Sequence, residues 1–206
     1  MNRHERFARL ATSLVVRRPV LWPLVRPPMR RLFDRLAPVW DERRTPGALA
    51  PYEAALELVD VPPRRALDVG TGTGAGALAI ARRWPQVEVV GVDIAEAMVE
   101  AARRKIPADL ADRVTFDLAD AARLPYEDGA FDLVTLLNVV PFFDQLRRVM
   151  RAGGFLVVAF SLGPETPIWV PPERLRGELD RHGFGAFREV AAGPGTALVA
   201  RRGEPG

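Results

Sequence analysis

Residues Ala66-Leu67-Asp68-Val69-Gly70-Thr71-Gly72-Thr73-Gly74 set an apolar run holding one acid directly ahead of three alternating glycines. Beyond them, Ala75 to Trp84 is a stretch of small and apolar residues stopped by Pro85. The segment therefore reads as strand, tight turn and helix. Gly70, Gly72 and Gly74 permit sharp backbone turning and let a ligand approach main-chain N–H groups that a Cβ would screen. A corner of this kind belongs at the C-terminal end of a parallel strand, which restricts the chain to an α/β architecture.

The residues that follow keep that rhythm. Val87 to Asp93 is β-branched and long enough for a buried parallel strand. Ala95 to Lys105 is a helix with Glu96 and Glu100 early and Arg103, Arg104 and Lys105 late, as the macrodipole favours. Further strands are expected at Arg113–Leu118, Phe131–Val140 and Gly154–Ser161, with Pro141 to Gly153 just long enough for a crossover helix. The pattern then changes: a helix over Glu173–His182 precedes two strands, around Phe187–Val190 and Ala197–Ala200, joined by Gly193-Pro194-Gly195. So short a link pairs them antiparallel. The expected fold is α/β, a doubly wound, mostly parallel seven-stranded sheet with a C-terminal antiparallel hairpin.

Three regions are expected: a basic, proline-rich N-terminal extension over 1–30, the main domain over 31–202, and a tail over 203–206. Residues 1–35 carry nine arginines against Glu5 and Asp34, and the remainder of the chain sums to −4. Pro19, Pro23, Pro27 and Pro28 argue against a long helix in this extension. Met29 to Arg44 reads as a short helix and turn, and Thr45-Pro46 as the start of a helix that carries Leu49, Tyr52, Leu56 and Val59 at helical spacing. The chain has no cysteine and two histidines, His4 and His182, so no thiolate or histidine metal centre is expected. His182, followed by Gly183, reads as a helix C-terminus. Neither a membrane-spanning helix nor a signal peptide is expected.

Taken alone, the glycines also fit the dinucleotide pattern G-x-G-x-x-G/A, with Asp93 where a ribose-binding acid belongs. Three features separate the readings. Asp68 would repel a pyrophosphate but suits an ammonium group, Ala119-Asp120-Ala121 places a carboxylate beside N–H groups after the third strand, and the terminal hairpin is foreign to a plain dinucleotide unit. In this ordered set the chain resembles the class I S-adenosylmethionine-dependent methyltransferases, over about residues 31 to 202. Asp68-Val69-Gly70-Thr71-Gly72-Thr73-Gly74 is similar to the family's first motif and Asp93-Ile94-Ala95-Glu96-Ala97-Met98 to its second. Asp120-Ala121 is similar to its third, and Phe131 to Val134 and Arg148 to Gly154 match its fourth strand and the approach to its fifth. Phe33 to Asp41 resembles the leading segment of the ubiquinone/menaquinone-type small-molecule methyltransferases.

The resemblance implies a Rossmann-like sheet with S-adenosyl-L-methionine as cofactor. Asp93 would then accept the ribose hydroxyls, Gly70, Thr71, Gly72 and Gly74 would lie against the methionine portion, and Asp68 would serve its ammonium directly or through water. Ile94 and Met98 would sandwich the adenine, with Asp120 and Ala121 on its edge. Asn138, at the end of the fourth strand, faces the crevice. Trp40 and Arg44 are candidate lid residues, and Phe142, Phe143 and Trp169 candidate walls of an acceptor pocket. No catalytic base is identified. The expected activity is methyl transfer to a small apolar or aromatic acceptor in the cytoplasm, with no nucleic-acid partner; the basic segment is open to three readings, peripheral membrane contact, a lid folded over the domain, or a solvated extension. The alternatives are a nicotinamide-dependent oxidoreductase and a non-catalytic cofactor-binding or membrane-associated interaction protein.

Overall fold

The computed structural model describes residues 3–204. Seven strands form one sheet: β1 (Arg65–Val69), β2 (Glu88–Asp93), β3 (Val114–Leu118), β4 (Phe131–Leu137), β5 (Met150–Phe160), β6 (Phe184–Ala192) and β7 (Gly195–Arg202). Their order is β3-β2-β1-β4-β5-β7-β6. The first five pair parallel; β7 runs antiparallel to both β5 and β6. This is the doubly wound sheet with a terminal hairpin that the sequence predicts. A two-residue loop with left-handed Gly193 closes the hairpin, since Ala192 pairs with Gly195. Chain order reverses between β1 and β4, so the crevice beyond their C-terminal ends is the binding location this topology offers.

Among the described residues seven α-helices accompany the sheet: α1 (Arg3–Arg17), α2 (Trp22–Leu36), α3 (Ala50–Leu56), α4 (Ala75–Arg83), α5 (Glu96–Arg103), α6 (Phe143–Val149) and α7 (Pro172–Arg181). The central strands are buried on both faces, and β1 exposes only its first residue. Two apolar layers flank them. One is built on Leu67, Val69, Val134 and Leu156, the other on Ala66, Leu133, Val157 and Ile80. As expected, α6 is the short crossover and α7 ends at His182, with Gly183 at φ +75°.

The N-terminal segment departs from expectation. α2 runs unbroken through Pro27 and Pro28. An interior proline costs a helix about 3 kcal/mol, but Trp22, Val25, Met29 and Leu32 recur along one face of α2 and are all buried. Burying each such side chain contributes about 1.5–3 kcal/mol, so the packed face outweighs the backbone penalty. α1 likewise buries Ala8, Ala11, Val15 and Val16 in the same apolar layer as β1 and β4. The expected boundary at residue 30 thus falls inside α2. The helix expected from Thr45-Pro46 begins instead at Ala50, because Gly47 takes φ +76° and holds residues 46–49 in turns. Of the expected tail, residues 205 and 206 lie outside the described residues, as does the side chain of His4.

Candidate active site

The corner between β1 and α4 is held by its own donors and acceptors. The Thr71 N–H donates to the Val92 carbonyl at 2.9 Å and the Gly74 N–H to the Thr71 carbonyl at 2.9 Å. Gly70 has φ +66°, and a Cβ there would stand 2.3 Å from Val139 Cγ2, so the turn from β1 passes beneath the segment leaving β4 with no room for a side chain. Gly72, at φ +54°, faces the Trp40 indole.

Asp93 ends β2 beside this turn. Its Oδ2 accepts from the Gly72 N–H and its Oδ1 from the Ala95 N–H, both at 2.9 Å. Each carboxylate oxygen can accept more than one hydrogen bond, so a lone pair remains on each. Burial pushes the Asp93 carboxyl up to about 6 against the pull of those N–H groups. A buried acid that is ionised at neutral pH beside a cavity is an acceptor for paired hydroxyls.

Asp68, the expected ammonium contact, borders the cavity with both carboxylate oxygens engaged by the scaffold. It is 2% exposed. Its Oδ2 accepts from Thr71 Oγ1 at 2.7 Å and its Oδ1 from Thr135 Oγ1 at 2.8 Å. The Tyr52 hydroxyl donates to Thr135 Oγ1 at 2.9 Å and lies 3.3 Å from Asp68 Oδ1. Although Asp68 borders the cavity, its hydrogen bonds tie β1, β4, α3 and the glycine turn together. Burial raises both the Asp68 carboxyl and the Tyr52 phenol above their ordinary values. Tyr52 and Thr135 were not singled out by sequence; their one signal is a polar group at an otherwise apolar core position.

A cavity of about 410 Å³ opens from this corner. Gly70, Thr71, Gly72, Asp93, Ile94 and Met98 line the end nearest the turn, together with Ala121 and Asn138. Its other walls are mainly apolar, with Met29, Leu32 and Phe33 from α2 and Val140, Phe142 and Ile168 opposite, while Glu5, Thr45, Ser161 and Thr166 add polar groups to the lining. Trp40 and Arg44 also border it, and Trp40 packs edge-on against Phe33 with ring centroids 5.7 Å apart. Asp41 anchors this segment to the glycine turn, accepting from Thr73 Oγ1 at 2.7 Å and pairing with Lys105. Burial pushes the Asp41 carboxyl up, but the bonds from Lys105 and Thr73 and the charges of Lys105 and Arg44 outweigh it and hold it low.

Four predicted site residues fall outside the cavity lining. Gly74, at φ +90°, packs against Phe116, where a Cβ would stand 2.8 Å from the ring. Phe143 is buried beside His182, and Trp169 packs on Phe160 in the core. Asp120 Oδ1 accepts from Trp22 Nε1 at 2.8 Å and from the Ala122 N–H, and its Oδ2 pairs with Arg26 at 2.9 Å. Its carboxylate is thus held by α2. Asn138 reaches the cavity but spends its amide on Ser161, donating to Oγ at 2.8 Å and accepting from the Ser161 N–H at 2.9 Å. These bonds hold Asn138 at φ +57° and clamp the ends of β4 and β5.

The geometry fits S-adenosylmethionine: a buried carboxylate with spare lone pairs, a glycine turn without side chains, and apolar Ile94 and Met98 beside it. Residues 66–154 match the family described as a methyltransferase domain. A demethylmenaquinone methyltransferase of Deinococcus radiodurans is 40% identical over 152 residues, covering 70% of this chain and 63% of that protein. One from Clavibacter sepedonicus is 34% identical over 181 residues, covering 82% and 68%. The chain thus spans about two thirds or less of the length of these curated relatives. In fold, a SAM-dependent methyltransferase from Aquifex aeolicus superposes with a TM-score of 0.65 at 20% identity, over 75% of this chain and 91% of that one. The dinucleotide alternative is not favoured, and the chain belongs to the class I S-adenosylmethionine-dependent methyltransferase family, similar to its demethylmenaquinone methyltransferases.

Proposed function

We propose that this protein transfers a methyl group from S-adenosylmethionine to a small apolar or aromatic acceptor, of the quinone-like kind named for its relatives. The observation that carries the reading is the continuity of one cavity, from Asp93 and the glycine turn at one end to Met29, Leu32, Phe142 and Ile168 at the other. The cofactor, when bound, supplies an activated methyl group on a sulfonium, a good leaving group. The protein then mainly has to align an acceptor in line with it.

Asp93 would hold the ribose hydroxyls, the Gly70–Gly72 backbone would lie along the methionine portion, and Ile94 and Met98 would flank the adenine with the Ala121 N–H at its edge. Asp68 would act at a distance, by fixing the turn. Asp120 would reach the adenine amine with lone pairs that Trp22, Arg26 and Ala122 leave available. Trp40 and Arg44 would close over the cofactor. Phe142 and the inner face of α2 would exclude water from the acceptor, which assigns residues 1–30 a covering role. A cytoplasmic location with contact at a membrane surface belongs to the same reading.

The test is transfer of radiolabelled methyl from S-adenosylmethionine to a demethylated menaquinone analogue, with a polar catechol in parallel. Label on the quinone analogue is the expected result. Label on the catechol alone would refute the apolar acceptor.

A further inference from the structure

Five of the eight large apolar side chains that stand exposed among the described residues lie between residues 7 and 24: Phe7, Leu10, Leu14, Val20 and Leu24. Leu10, Val20 and Leu24 are 73%, 81% and 76% exposed. Phe7, Leu10 and Leu14 recur at helical spacing and form a stripe along α1. The opposite side of α1, carrying Ala8, Ala11, Val15 and Val16, is already buried. One exposed leucine is ordinary surface; a second apolar stripe on a helix that has already buried one requires an occupant.

The charge around the stripe identifies that occupant. Arg6, Arg17 and Arg18 are exposed on or beside α1, and Arg30, Arg31 and Arg35 line α2. Arg26 and Arg30 have carboxylate partners, whereas Arg17, Arg18 and Arg31 have none among the described residues. A second copy of the chain would bring two such arginine-rich segments together and repel. An anionic lipid surface accepts both features, with alkyl side chains at the acyl boundary and guanidinium groups among phosphates. No helix among the described residues is long and apolar enough to cross a membrane, so the contact is peripheral.

The same helices wall the cavity with their inner faces, through Ala8, Trp22 and Met29. We infer that the outer face of the α1–α2 pair docks on anionic lipid and sets the cavity against the bilayer, from which an apolar acceptor is drawn. The inference rests on the proposed function, whose membrane contact it deepens, and the docking is read out separately from the acceptor.

The full chain is sedimented with vesicles of phosphatidylcholine alone and with about one third phosphatidylglycerol added, beside the variants L10S/V20S/L24S and R17E/R18E. Each charge near such a surface changes binding about fivefold. The wild type is expected to bind the anionic vesicles only, and each variant to lose more than about tenfold in partitioning while binding S-adenosylhomocysteine as the wild type does. Wild type that stays in solution with anionic vesicles, or variants that sediment as well as the wild type, would overturn the inference. So would a wild-type dimer in analytical ultracentrifugation that L10S/V20S/L24S makes monomeric, since the stripe would then be a self-association surface. Vesicle binding without methylation of the quinone analogue would count against the proposed acceptor and leave the docking intact.

Discussion

Replacing Asp93 with asparagine separates the cost of a buried charge from its use. In the ligand-free protein, burial raises this carboxyl from 3.8 to about 6, so the folded chain binds the proton more tightly than the unfolded chain. Stability from this group is therefore highest below pH 4 and falls as pH rises through 6; at neutral pH the charge costs about 3 kcal/mol. Asparagine removes that cost but offers a single acceptor oxygen to two N–H donors, those of Gly72 and Ala95. Leaving one buried N–H unpaired costs about 1–3 kcal/mol. The two effects nearly cancel, and Tm should move by no more than about 5 °C.

Binding of the cofactor product does not cancel in this way. Hydrogen bonds to a charged acceptor contribute about 1.5–3 kcal/mol each. Weakening the two from the ribose should lower affinity for S-adenosylhomocysteine by about a hundred- to ten-thousandfold in calorimetric titration. Wild-type affinity should also fall about tenfold between pH 7 and pH 5, as the carboxylate is protonated through 6. The Asp93→Asn variant should show little of that dependence. Binding by the variant within threefold of wild type, or a wild-type affinity that is flat from pH 8 to 5, would refute the assignment of Asp93 to the ribose.

The other predictions concern the scaffold around that acid. Gly70→Ala places a methyl group 2.3 Å from Val139 Cγ2 at φ +66°; a Tm loss of several degrees with cofactor binding abolished is expected, and adding Val139→Ala should recover part of the stability because it relieves the clash but not the backbone strain. Thr135→Val removes the 2.8 Å donor to buried Asp68 and should cost about 2 kcal/mol in urea unfolding; an unchanged midpoint would refute this, showing that the Tyr52 hydroxyl, 3.3 Å from the same oxygen, makes up the loss. Trp22→Phe keeps the apolar contact with Phe142 but loses the indole bond to Asp120, so it should destabilise the protein by about 1 kcal/mol and speed proteolysis of α1 and α2. Intact helices under limited proteolysis would mean that Asp120 is no anchor for them.

The order of strands and helices, the glycine corner and the acid ending β2 were legible in sequence because each rests on local rules. Glycine punctuation, β-branched runs and the two-residue link between β6 and β7 act over a few residues. Pro27 and Pro28 show where local rules stop, since a helix penalty within one segment was outweighed by burying Trp22, Val25 and Met29 in an apolar layer shared with β1 and β4. Asp68 makes the same point with polar groups. Its place before the glycines was readable, but its engagement by Thr71, Thr135 and Tyr52 arises only when β1, β4 and α3 come together.

The local pattern of Asp68 to Gly74 and Asp93 thus determined the cofactor class, because a turn that must run close to a ligand can be built only from residues at fixed short spacing. Tertiary structure decided which candidates share the cavity. Phe142 entered it while Phe143, the next residue along, turned into the core, and Asp120 took Trp22 and Arg26 as partners from a helix about a hundred residues earlier. Direction and partner are properties of packing, and packing is settled only when distant segments compete for the same space.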